Sequence, residues 1–158
     1  FSVFLCLLYV EVSQYSRGCL EVSSDLLQVD HFVTNDAIEL LENRRFRLIG
    51  RIDEVINSGG IKIHPRQIER KLSQVLSAHY FIGGVADDTL GEKVILAVKH
   101  SSSLQLDKLV EKIKKCETLA SYEIPKSIIV FPDFVETDSG KIRRKQTLLL
   151  DSVSVLDL

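Results

Sequence analysis

Gly50-Arg51-Ile52-Asp53-Glu54-Val55-Ile56-Asn57-Ser58-Gly59-Gly60-Ile61-Lys62-Ile63-His64-Pro65-Arg66-Gln67-Ile68-Glu69 is the stretch on which the fold turns. Two short β-branched runs, 54–56 and 61–63, flank Asn57-Ser58-Gly59-Gly60, which reads as two strands joined by a glycine loop. Pro65 suits the first turn of a helix, where its missing N–H costs nothing. Ile68, Leu72, Val75 and Leu76 then recur at i, i+4, i+7 and i+8, one apolar helical face. Downstream, apolar runs at 81–86 and 94–98 surround Asp87-Asp88-Thr89-Leu90-Gly91, a strand pair. Leu106, Leu109, Val110, Ile113 and Cys116 mark a second amphipathic helix, 128–131 another strand, and 144–150 a short closing helix. From residue 54 the order is β-β-α-β-β-α-β-(α). It predicts an α+β domain, a small antiparallel sheet with two main helices packed on it. Its core is expected at Ile68, Leu72, Val75, Val85, Val94, Leu96, Leu109, Ile113, Ile129 and Phe131.

Upstream, residues 1–36 read as several short strands with a turn at 15–18 and another at Asn35-Asp36. A hairpin is expected from 37–41 with 46–49, around Glu42-Asn43-Arg44-Arg45. Nothing in 1–49 looks like a complete core. The apolar opening, Phe1 to Val10, is ten residues before Glu11, against roughly 20 for a bilayer span. No basic segment precedes it and no small-residue cleavage site follows, so neither a membrane segment nor a signal peptide fits. It reads as strands from a larger core, with self-association expected through residues 1–10.

The chain has 158 residues, 45% of them hydrophobic and 27% charged, a globular balance that excludes disorder and disulfide scaffolds. A net charge of −2 argues against a nucleic-acid partner. Cys6, Cys19 and Cys116 are an odd count without metal spacing, which favours a reducing, cytoplasmic setting. His31, His64, His79 and His100 are scattered and read as surface or satisfied histidines, so no metal site is expected. Asp87 and Asp88 read as a solvated hairpin turn, and Cys116 as a core residue.

Two glycine-bearing loops are left. Composition alone favours the plain reading of each, a flexible hairpin at Gly59-Gly60 and a solvated basic loop over 138–145. The functional reading of the first is close approach of backbone to a ligand where no Cβ intervenes. That of the second is Lys141 delivering a point charge to a phosphate or carboxylate.

Read together, these stretches resemble the adenylate-forming enzymes: acyl-CoA synthetases, nonribosomal-peptide adenylation domains and luciferases. Residues 50–69 resemble that family's hinge-and-loop signature, and Gly84-Val85-Ala86-Asp87 through Gly91-Glu92 its next hairpin. Tyr122-Glu123-Ile124-Pro125 resembles the segment before its last strand, and Ser139-Gly140-Lys141-Ile142 with Arg144 its terminal lysine motif. Val33-Thr34-Asn35-Asp36 sits where the family has Thr-Gly-Asp, and Gly18–Val22 resembles the strand before it. Within the family, residues 57–65 together with 33–36 look most like the 2-succinylbenzoate–CoA ligases of menaquinone biosynthesis. Many relatives carry Lys where this chain has Asn57.

The resemblance implies a domain order: a remnant of a large N-terminal domain over 1–50, a hinge at 51–53, a mobile lid domain over 54–150 and a tail over 151–158. It implies an enzyme that joins a small-molecule carboxylic acid to AMP and passes the acyl group to CoA, using ATP, CoA and Mg²⁺. It also implies residue roles. Asp36 would accept ribose hydroxyls, and Arg51 would add a ribose or phosphate contact. Asp53 would be the hinge, Gly59 and Gly60 would line the pantetheine channel, and Lys141 would be catalytic. The family's Ser/Thr/Gly-rich phosphate loop and its aromatic-Gly-x-Thr-Glu segment are absent from the 158 residues. The isolated chain is therefore expected to be inactive in adenylation, with no cofactor bound. The alternatives are an adenylation enzyme that uses a carrier protein as acceptor, and a stand-alone interaction module without catalysis.

Overall fold

Short alternating runs punctuated by charged turns make residues before 55 all-β. In the computed structural model, which describes residues 3–158, that region carries β1 (Val3–Leu5), β2 (Glu11–Gln14), β3 (Cys19–Ser24), β4 (Val29–Leu41) and β5 (Arg45–Arg51). They form one antiparallel sheet in the order β1-β5-β4-β3-β2. The expected hairpin is β4–β5, with Ile38 opposite Leu48 and Leu40 opposite Phe46. Its turn puts Asn43 and Arg44 at positive φ, 58° and 57°. Phe1, the start of the apolar opening, lies outside the described residues.

The turn expected at Asn35-Asp36 is not a chain reversal. β4 runs through it, and Thr34–Asp36 forms a bulge because Cys19 pairs with Ala37 while Glu21 pairs with Val33. The Asp36 N–H leaves the ladder and donates to Thr34 Oγ1 at 3.0 Å. A turn-forming Asn-Asp pair is thus accommodated inside a long strand.

The chain divides into two compact units, Phe1–Val55 and Ile56–Leu158. The second follows the expected order: β6 (Ile56–Ser58), β7 (Ile61–Ile63), α1 (Pro65–Leu72), β8 (Tyr80–Asp87), β9 (Gly91–Lys99), α2 (Leu106–Lys114), β10 (Ser127–Phe131) and α3 (Arg144–Thr147). One element was not expected. Residues 154–157 of the presumed tail form β11 (Ser154–Asp157), antiparallel to β10. The class is α+β. Most pairs are antiparallel, but β10 runs parallel to β9 because α2 carries the chain back across the sheet between them.

The centre of the unit is β9, whose residues Val94 to Val98 are all at most 1% exposed. Alternate side chains feed two cores. Val94, Leu96 and Val98 join Ile82, Ile128, Val130 and the inward faces of α1 and α2. Ile95 and Ala97 join Phe81, Phe131 and Phe134 on the opposite face, with Ile142 and Leu148 packed against them. Seven of the ten expected core residues are buried; Val75, Val85 and Ile129 are only partly so. Gly83 and Gly84 show how closely the layers approach. A Cβ on Gly84 would lie 3.0 Å from Ile56 Cγ2, and one on Gly83 would lie 3.2 Å from Leu148 Cδ1. No helix among the described residues is long and apolar enough to cross a membrane.

Candidate functional site

The candidate residues fall into three clusters, each built by its own element. In the first unit, the β4–β5 ladder puts Asp36 opposite Arg51. A single helical turn over 52–54 follows β5 and brings Asp53 back toward the same guanidinium. Arg51 donates from Nε and Nη2 to the two Asp53 oxygens at 2.9 and 2.8 Å. Its Nη1 lies 3.7 Å from Asp36 Oδ1. These hydrogen bonds to Asp53 hold the Arg51 proton more firmly than usual. The structure thus brings together three residues that the sequence linked only by resemblance. The division between the two units follows Asp53 by two residues.

The second cluster is the β6–β7 turn. Gly59 and Gly60 both adopt positive φ, 57° and 82°, which excuses the absence of side chains there. Gly59 donates its N–H to the Leu90 carbonyl at 2.8 Å, and Asn57 N–H donates to the Glu92 carboxylate at 2.8 Å. The glycine turn therefore leans on the β8–β9 turn, itself tightened by Asp87 Oδ1 accepting the N–H groups of Thr89 and Leu90. Those bonds hold the Asp87 carboxyl below its ordinary range. Around Gly60 a Cβ would meet nothing within 4 Å.

The third cluster is the loop bearing Lys141. Glu136 and Ile142 pair across it, and Gly140 at φ 76° turns the chain. Lys141 N–H donates to Thr137 Oγ1 at 3.0 Å, and Thr137 N–H to the Lys141 carbonyl at 2.9 Å. The backbone is tied down while the Lys141 side chain is exposed.

The second and third clusters are anchored on opposite faces of the same sheet. Ile56 and Ile63, at the base of the glycine turn, enter the core on the helix side. Ile142, next to Lys141, packs on the other face beside Phe81 and Phe131. A single rigid layer thus carries both loops, one from each side.

Sequence reasoning assigned no role to three residues that shape these loops. Glu69 and Arg144, 75 positions apart, form a two-pronged ion pair at 2.9 Å. Thr147, fully buried, accepts the Val135 N–H at 3.0 Å. Glu69 and Arg144 both stood within recognisable stretches, but their pairing has no local spacing to betray it. His64 also departs from expectation. It is neither a surface nor a satisfied histidine, because its Nδ1 is buried without a hydrogen-bond partner. Among the described residues no group of His, Cys, Asp or Glu could hold a metal ion. A hollow of about 580 Å³ in the first unit, lined by Glu21, His31, Arg44 and their neighbours, contains none of the candidate residues.

No family model matches the chain. Among curated proteins it is 31% identical over 148 residues to a probable CoA ligase (CCL9) of Humulus lupulus, covering 92% of this chain and 28% of that protein. It is 34% identical over 121 residues to an acyl-CoA synthetase (ALT10) of Alternaria alternata, covering 73% of this chain and 21% of that one. The chain thus spans about a quarter of the length of the curated relatives it matches. Among solved structures, the o-succinylbenzoate CoA synthetase of Bacillus subtilis bound to its acyl-adenylate superimposes with a TM-score of 0.76 at 19% identity. That match covers 92% of this chain and 35% of that one. An AMP-forming acyl-CoA synthetase-like protein of Dyadobacter fermentans gives 0.57 at 28% identity, covering 92% and 43%. The two curated relatives are named as a CoA ligase and an acyl-CoA synthetase, and the two solved neighbours as CoA synthetases, one of them AMP-forming.

Proposed function

We propose that this chain is the C-terminal part of an AMP-forming acid–CoA ligase, which activates a carboxylic acid as its acyl-adenylate and then transfers the acyl group to CoA. The observation that carries the reading is the pair of loops on opposite faces of one sheet, in a unit that begins just after Asp53. Two half-reactions served by one small domain call for two presenting faces and a pivot. Residues 51–53 are the pivot, with Asp53 as the hinge whose backbone angles change as residues 54–150 swing. The remnant over 1–50 supplies Asp36 and Arg51. The Asp36 carboxylate, an acceptor only, takes the ribose hydroxyls, and Arg51 steadies it and reaches toward the nucleotide.

In the adenylating pose, Lys141 enters between the acid carboxylate and the α-phosphate. Its ammonium offsets the charge that builds as the carboxylate oxygen attacks phosphorus and pyrophosphate leaves. In the thioester-forming pose, Gly59 and Gly60 flank the pantetheine arm, where the open space around Gly60 admits it. The family's Mg²⁺ would arrive with ATP, and among the described residues no group of three or more His, Cys, Asp or Glu could hold it alone. The acid we propose is 2-succinylbenzoate. That choice rests on the sequence resemblance of residues 33–36 and 57–65, because a neighbour at 19% identity speaks for the fold alone. The 158 residues by themselves are inactive, since the phosphate loop lies outside them.

The test measures the two half-reactions separately in the complete ligase. Lys141→Ala should slow adenylate formation by about 10²–10³, the usual loss for one preorganised electrostatic partner. It should leave CoA attack on supplied acyl-adenylate nearly intact. Gly60→Leu should do the reverse. Equal losses in both steps for both variants would refute the two-face reading. Comparing 2-succinylbenzoate with other acids, and CoA with a carrier-protein thiol, tests the substrate and the acceptor.

A further inference from the structure

The outer edge of β8, within the second unit, carries a fourth feature apart from the three clusters. Among the described residues β8 pairs only with β9. At Ile82, the backbone N–H and C=O that face away from β9 are both taken by side chains. Glu69 Oε1, from α1, accepts the Ile82 N–H at 2.8 Å. Arg144 Nη1, from the first residue of α3, donates to the Ile82 carbonyl at 3.2 Å. The two side chains then close on each other, Nη1 to Oε1 and Nη2 to Oε2, both at 2.9 Å. Both are largely sheltered, with side chains 17% and 20% exposed. The guanidinium also sits 5.8 Å from the centroid of the Phe81 ring, and the Tyr80 hydroxyl donates to the Glu69 carbonyl at 3.0 Å.

We propose that Glu69 and Arg144 are a positioning pair that sets where the Lys141 loop leaves the sheet, an inference that rests on the role given to Lys141 above. Three peptide links separate the Cα atoms of Lys141 and Arg144, a reach of about 11 Å at most. Arg143 N–H bonds the Val135 carbonyl at 2.7 Å, so little slack is left between them. Fixing Arg144 to α1 and to β8 at once therefore fixes the C-terminal root of the lysine loop to the same sheet that carries the glycine turn. A bidentate guanidinium–carboxylate pair suits this because it constrains orientation as well as distance. The arrangement is also directional. Of the two side chains only the carboxylate can accept from the Ile82 N–H and only the guanidinium can donate to the Ile82 carbonyl, so exchanging the two residues does not rebuild it. A catalytic ammonium misplaced by about 1 Å loses on the order of 10² in rate. The pair accordingly acts on the rate of adenylation rather than on nucleotide binding.

Two measurements test this. In the 158-residue chain, Arg144→Met keeps the stem over Phe81 and removes the pair. Amide hydrogen exchange at Lys141 and Arg143 should accelerate about tenfold or more, with Arg144→Lys restoring part of the protection. The amides of Val94, Leu96 and Ile113 should be unchanged. Unaltered exchange at Lys141 and Arg143, or a uniform rise across residues 56–158, would overturn the proposal. In the complete ligase, acid-dependent exchange of pyrophosphate into ATP should show a kcat about tenfold lower for Arg144→Met, with the KM for ATP within about twofold. Glu69→Arg combined with Arg144→Glu should not recover it. Active wild-type enzyme with Arg144→Met at full rate would overturn the pair's role in catalysis. Inactive wild-type enzyme would instead overturn the ligase reading, and the hydrogen-exchange arm alone would then decide whether the pair fixes the loop.

Discussion

At the scale of single residues, His64 shows a compromise between sequence and local structure. It occupies the N-cap position of α1 with an extended backbone, φ −94° and ψ 109°, yet its side chain caps nothing. Burial lowers the imidazole's affinity for a proton below the ordinary 6.5. The folded state therefore binds that proton less readily than the unfolded chain. The histidine's contribution to stability is whole above pH 6.5 and is lost as pH falls through its lowered folded value. His64→Asn offers a side-chain oxygen to the first-turn N–H groups and removes the titrating ring. The variant is expected to gain about 1 kcal/mol at neutral pH, and to lose less than the parent between pH 7 and 5. Thermal denaturation across that range checks both; a variant less stable than the parent throughout would show that imidazole packing outweighs the cap. The misplaced turn at Asn35-Asp36 belongs to the same scale. Asn and Asp favour turns through bonds to nearby backbone, and Thr34 made such a bond available without ending the strand.

At the scale of elements, the helices were legible and the strand faces were not. Ile68 and Leu72 recur at helical spacing, and both are fully buried. Leu76 is buried too, although α1 ends at Leu72 and Leu76 sits in the following turn, where its N–H still reaches the Leu72 carbonyl. For strands the two-residue alternation fails wherever both faces are covered, since every position is then apolar. The expected core accordingly names Ile129, whereas Ile128 and Val130 are the more deeply buried; all belong to β10, whose two faces enter the two cores. The sequence does not predict β11, because residues 151–158 offer only the short alternation Ser152-Val153-Ser154-Val155 and no long apolar run. The consequence for energetics is concentrated at α1. Leu72→Ala opens a cavity among Ile68, Ile82 and Leu96, and should destabilise by about 2–5 kcal/mol. A urea midpoint unmoved by this change would mean that α1 contributes no packing to the sheet.

At the scale of the molecule, the two units differ in how much they bury, and the proposed swing about residues 51–53 would require that difference. Among the described residues of the first unit only Cys19, Ala37 and Ile38 are buried apolar side chains, while Val3, Phe4, Leu5, Tyr15 and Phe32 are exposed. The second unit closes two cores around β9. Residues 1–49 read in the sequence as holding no complete core of their own, and the contact division falls after Val55. The opposed placement of the two loops could not, because it depends on which side of a strand Ile56 and Ile142 reach from far apart in the chain. If the second unit swings about residues 51–53 as proposed, it must keep its own stability through the motion, which a unit borrowing its core from a neighbour could not do. Local opening free energy follows buried contact, so hydrogen exchange should separate the two units in the isolated chain. The amides of Val94 to Val98 should exchange only through global unfolding of their unit, and those of β3 and β4 about 100-fold faster or more. Denaturant should then raise exchange at β9 steeply and at β4 only slightly, since opening β4 exposes little surface. Equal protection and equal denaturant slopes in the two units would mean that they unfold as one, and a lid that swings independently about Asp53 would lose its physical basis.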